Sequence, residues 1–162
     1  MSFFNISTRP VIGLCLIALA LQSCAVTGGS HLNNSINTTT SESAEVLFSQ
    51  IDRAENAYKD EFWGEASNLY QEILKSMPDD AYIWFRLGNT LTQQGLYSQA
   101  IYSYEASLQR DSRQAKPWFN LSTTYLLGAQ LASLNAWESM KQNDPGRSTI
   151  KVRINAITQL LR

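Results

Sequence analysis

The chain has 162 residues, of which 44% are apolar and 17% charged, and its formal net charge is −1. That is enough for one modest folded domain, and without a basic excess to neutralise phosphates it argues against nucleic-acid binding. Two cysteines cannot form a disulfide scaffold, and one histidine, His31, argues against a histidine metal site or a Ser-His-Asp hydrolase.

The N-terminus reads as an address. Arg9 precedes residues 11–21, a run of apolar or small residues without a charge. The run is too short to cross a bilayer, which takes about 20 helical residues, and it fits the apolar core of a secretory signal. Cys15 lies inside that core as a small hydrophobe. Leu21-Gln22-Ser23-Cys24 follows and resembles a bacterial lipobox, with Gln22 departing from the usual small or β-branched residue. The resemblance implies a lipoprotein signal peptide over residues 1–23 that is removed. It implies Cys24 as the lipidation site, its thiol taking a diacylglyceryl group and its freed amine a further acyl chain. Several chains together make a stable anchor where one does not. Ala25 and Val26, with no aspartate, imply the periplasmic face of the bacterial outer membrane by similarity to enteric sorting rules.

Residues 24–43 are rich in Ser, Thr, Asn and Gly and lack aromatics. Such a composition buries too little apolar surface to offset chain entropy, and it predicts a flexible polar tether. A coil of this length spans on the order of 25 Å. His31 reads as an exposed residue of that tether, without neighbours for a metal.

Beyond the tether the sequence repeats. Trp84 and Trp118, Leu87 and Leu121, Ala66 and Ala100, Tyr70 and Tyr104, and Leu74 and Leu108 each stand 34 positions apart. This period marks stacked helix pairs. Three copies are read: a weak first at about 47–80, a clear second at 81–114 and a divergent third at 115–147, which has lost one residue between Gly128 and Pro145. Small residues such as Gly88 and Ala100 let helices approach, and Trp84 and Tyr104 fill the gaps. Gly95 permits the turn between the helices of a pair, and Pro78 and Pro145 end second helices. Trp84, Trp118, Tyr104 and Tyr125 are expected in the core. Residues 148–162 carry Ile150, Ile154, Ile157 and Leu161 on one helical face, which predicts a helix capping the last repeat.

The second copy, with Trp84-x-x-Leu87-Gly88, Gly95-Leu96-Tyr97, Ala100 and Tyr104, closely resembles a tetratricopeptide repeat. It departs from the family pattern at Leu91, Ser107 and Ser112, where Tyr, Ala and Pro are usual. The resemblance implies an all-α superhelix over residues 44–162, made of about three helix-turn-helix repeats and a C-terminal capping helix. It also implies a peptide-binding groove on the concave face, lined by the first helix of each pair. The groove residues so implied are Glu55, Tyr58 and Lys59, then Tyr82, Phe85, Arg86, Asn89 and Gln93, then Lys116, Phe119, Asn120 and Thr123. Asn89 and Asn120 match the asparagines of the family's carboxylate clamp, whereas Phe85 stands where that clamp has lysine.

No Gly-rich phosphate loop, nucleophile elbow or metal-ligand spacing is legible. The expectation is an adaptor rather than an enzyme, with no metal, no small-molecule substrate and no cofactor beyond the covalent lipid on Cys24. The plan resembles tetratricopeptide lipoproteins of type IV and tight-adherence pilus assembly. That implies another envelope protein as partner, such as a secretin or a pilus component. The alternative is a scaffold that recruits peptidoglycan-remodelling enzymes.

Overall fold

A computed structural model describes the backbone of residues 30–162 and the side chains from residue 42 onward. The signal sequence expected over 1–23 and the expected lipidation of Cys24 fall outside the described residues. Thr38–Arg162 form one compact unit. Among the described residues every regular element is a helix: α1 (Ser30–Lys59), α2 (Trp63–Ser76), α3 (Ala81–Gln93), α4 (Tyr97–Arg110), α5 (Ala115–Ser139) and α6 (Arg147–Leu160). The all-α helical-repeat architecture expected from the period is therefore present.

The period sets the boundaries. α2 and α4 begin 34 residues apart, at Trp63 and Tyr97, and so do α3 and α5, at Ala81 and Ala115. The turns that precede α2 and α4 each use one left-handed residue, Glu61 at φ 61° and Gly95 at φ 73°. Glycine adopts this conformation freely, and Glu61 holds it at a cost of about 1 kcal/mol. α3 is capped by Asp80, whose carboxylate accepts from Ile83 N at 2.9 Å.

Packing runs between neighbours: α2 on α3, α3 on α4, α4 on α5 and α5 on α6. That is the pattern of a solenoid, in which each unit buries its apolar face only against the next. Ala54 and Ala57 of α1 join Ala66, Tyr70 and Ile73 of α2 and Ile83, Leu87 and Leu91 of α3 in one core, which continues through Ala100, Tyr104 and Leu108 to Leu121. α3 and α4 approach closely at Gly88; a β-carbon there would stand 2.7 Å from the Tyr104 ring.

The third pair departs from the expectation. In place of a helix-turn-helix over 115–147, α5 runs unbroken from Ala115 to Ser139. The position that is Glu61 and then Gly95 becomes Ala129, the residue most favourable to helix, so the turn is lost. Downstream, Leu134 and Glu138 replace Ala100 and Tyr104, so the small contact residue and the gap-filling ring are missing as well. No second helix folds back on the first half of α5. Instead α6 packs on its second half: Gln130 Nε2 donates to Thr158 Oγ1 at 3.0 Å, the Arg147 guanidinium stacks 3.8 Å from the Trp137 ring, and Ile157 is buried.

This read-through corrects two core assignments. Trp84 and Trp118 make equivalent hydrogen bonds, from Nε1 to the carbonyl oxygens of Pro78 (2.8 Å) and Ser112 (3.0 Å). Yet the Trp84 ring is covered edge-on by Tyr102 at 5.8 Å, and the counterpart of Tyr102 is Ala136, carried on the straight half of α5. Trp118 and Tyr125 are consequently 54% and 50% exposed, whereas Tyr104 is buried as expected.

The tether expectation also changes. α1 begins at Ser30, so residues 30–43 are helical rather than coil. No glycine or proline interrupts 30–59, and extending a helix already nucleated by its packed half adds one hydrogen bond per residue fixed. Residues 42–46 remain exposed, as their composition requires.

Candidate peptide-binding groove

The first helices of the pairs, α1, α3 and α5, bring two related clusters together. In the first, Glu55 of α1 meets Tyr70 of α2 and Arg86 of α3. Tyr70 Oη donates to Glu55 Oε1 at 2.8 Å, and Arg86 Nε donates to the same oxygen at 2.8 Å. A terminal guanidinium nitrogen of Arg86 pairs with Glu55 Oε2. Tyr82 Oη adds a bond to Glu55 Oε1 at 3.2 Å, and Tyr58 lays its ring 3.6 Å from the guanidinium carbon. Burial opposes the charge of Arg86, but its bonds to Glu55 and Tyr70 outweigh that and hold the guanidinium above its usual range. Burial, reinforced by the bond to Glu55, pushes the Tyr70 phenol upward.

The second cluster repeats the first 34 residues later, with the charges removed. Asn89, Tyr104 and Asn120 stand where Glu55, Tyr70 and Arg86 stood. Tyr104 Oη donates to Asn89 Oδ1 at 2.9 Å, as Tyr70 does to Glu55, and Asn120 Nδ2 donates to Asn89 Oδ1 at 2.7 Å, as Arg86 does to Glu55. Thr92 Oγ1 lies 3.1 Å from Tyr104 Oη and 3.2 Å from Thr124 Oγ1. An ion pair on one side is thus an amide pair on the other, held by the same tyrosine position.

A cavity of about 270 Å³ opens over the second cluster. It brings together Tyr58, Asn89, Gln93, Phe119, Asn120 and Thr123 of the residues expected in the groove, and adds Thr92, Tyr104, Thr124 and Leu127. Tyr82 and Arg86 belong to the neighbouring Glu55 cluster. Phe85 is a packing residue, partly buried against the core with its ring 6.1 Å from that of Tyr104. Lys59 and Lys116 are exposed and do not line the cavity. The threonines that sequence reasoning missed carry no family motif, although Thr92 lies 34 residues from Tyr58 and so occupies its position in the next repeat.

Among the described residues no group of His, Cys, Asp and Glu is placed to hold a metal ion. Among the same residues no helix is long and apolar enough to cross a membrane.

No protein-family model matches the chain. It is similar to the protein O-mannosyl-transferase TMTC1 of Mus musculus, at 27% identity over 109 residues, which is 64% of this chain. The chain spans 12% of that protein's length. The helical-repeat fold presents a surface of stacked helices, the kind of surface on which such folds can meet a protein partner.

Proposed function

We propose that the chain is a non-catalytic adaptor that binds an extended segment of a partner protein in the groove between α3 and α5. The observation that carries this reading is the cavity over Asn89 and Asn120. Their amides are fixed by Tyr104 and by each other, and they sit beside the aromatic face of Phe119. Amides that both donate and accept match a peptide main chain, and an aromatic face takes its side chains.

The expected sites of membrane attachment and action belong to the same proposal. Leu21-Gln22-Ser23-Cys24 supports lipidation of Cys24 and retention at the periplasmic face of the outer membrane. Replacing Cys24→Ser is expected to abolish metabolic palmitate labelling and release the protein from membranes; labelling that persists refutes the anchor.

The partner in this reading is an envelope protein, with a secretin or pilus component preferred. A photo-crosslinking amino acid at the exposed Phe119 tests it in cells. An adduct with a secretin or pilin supports the reading, whereas an adduct with a peptidoglycan hydrolase or synthase selects the cell-wall scaffold instead. Asn120→Ala is expected to weaken the partner's binding about fivefold to tenfold, the effect of losing one hydrogen bond.

A further inference from the structure

We propose that Glu55 sets the charge preference of the groove: by holding Arg86 neutralised, it makes the site select an uncharged extended peptide and reject an acidic one. The inference rests on the peptide-binding reading above and concerns which peptide.

A helical-repeat groove that captures carboxylates needs a cation free to meet them. The groove-facing residues expected from sequence include three basic groups, and none is so placed. Lys59 and Lys116 stand outside the cavity. The Arg86 side chain is 13% exposed, with two of its nitrogens on Glu55 and one face against Tyr58. An incoming carboxylate would have to displace Glu55 from Arg86 and also from the hydroxyls of Tyr70 and Tyr82. Until it did so, it would meet the negative charge of Glu55 rather than the positive charge of Arg86.

The next repeat leads to the same result by another route. Asn89 and Asn120 reproduce the Glu55–Arg86 geometry without charge. The cavity lining therefore carries no charged side chain and offers amides and hydroxyls, with the balanced Glu55–Arg86 pair beside it behind Tyr58. Those groups suit main-chain N–H and C=O groups, while Tyr58 and Phe119 suit apolar side chains.

The test is selection of a phage-displayed random peptide library on the full-length protein, its Glu55→Gln variant and the double variant Glu55→Gln/Arg86→Gln. Glutamine keeps an acceptor for Tyr70 and Arg86, so the variant holds its fold, and circular dichroism checks that it does. The unaltered protein is expected to enrich peptides without acidic residues in their common core. Glu55→Gln leaves the Arg86 charge uncompensated beside the Tyr58 wall of the cavity and is expected to enrich acidic peptides, binding them about tenfold or more tighter than the unaltered protein does, as a charged hydrogen bond would give. The double variant is expected to return to uncharged peptides. Enrichment of acidic peptides by the unaltered protein, or the same peptides from the unaltered protein and a folded Glu55→Gln, overturns the role of Glu55 while leaving peptide binding intact. No peptide enriched by any of the three overturns peptide binding itself.

Discussion

Glu55 and Arg86, 31 positions apart on α1 and α3, are joined by a hydrogen bond of 2.8 Å from Nε to Oε1, and side-chain exposures of 21% and 13% keep both largely out of water. A pair so placed contributes less by its attraction than it costs to break, because either partner left alone is a charge in a poorly solvated site. Glu55→Ala is therefore expected to lower unfolding stability by about 2–3 kcal/mol, read from the urea midpoint at constant m. Glu55→Gln is expected to lose less than that, since its one amide oxygen can still accept from Tyr70 and Arg86 Nε while the bond to Oε2 is lost. Equal losses for the two variants would contradict the pairing.

Two glycines that look alike in sequence are expected to respond in opposite directions to alanine. At Gly88 a β-carbon would lie 2.7 Å from two Tyr104 ring carbons, and that ring is buried, so Gly88→Ala is expected to destabilise by about 1–2 kcal/mol despite the gain in helix propensity. At Gly64, near the start of α2, nothing lies within 4 Å, so Gly64→Ala is expected to stabilise by about 0.5–1 kcal/mol. Thermal unfolding of both variants checks the signs.

The repeat-related tryptophans are expected to be unequal. Trp84 has Tyr102 against its ring edge and the Arg110 guanidinium 5.2 Å from its centre, and its removal is expected to cost about 3 kcal/mol. Trp118 is 54% exposed with the same backbone hydrogen bond, and Trp118→Ala is expected to cost about 1 kcal/mol. Denaturant melts of the two variants decide the matter, and equal costs would mean that Trp118 is covered after all.

Alkaline pH should unfold the domain. Burial is the main force that pushes the phenols of Tyr70 and Tyr104 above their ordinary value, because the charged form is poorly solvated there. In the unfolded chain these groups ionise near about pH 10. The stability tied to them is thus fully present below about pH 10 and is lost as pH rises toward the folded values. The melting temperature is expected to be flat from pH 7 to 9 and to fall above about pH 10. Tyrosinate absorbance of the buried residues should appear together with loss of helix. Complete tyrosine ionisation in a chain that keeps its helical dichroism would contradict this.

The 34-residue period by itself determined most of the architecture: the class, the spacing of α2 from α4 and of α3 from α5, the close approach at Gly88 and the buried Tyr104. It could do so because a solenoid repeats its contacts locally, so one residue's surroundings are written one period away. Tertiary structure decided what no local pattern carries. The loss of the third turn was a matter of absence, with Ala129 in place of a turn residue and Leu134 and Glu138 in place of packing residues, and only the uncovered Trp118 and Tyr125 make its consequence visible. The groove differs from its expectation for the same kind of reason. Arg86 is expected from sequence only as a groove residue, whereas its charge is balanced by a glutamate on another helix, through rotamers, burial and a shared tyrosine that the linear order of residues does not specify.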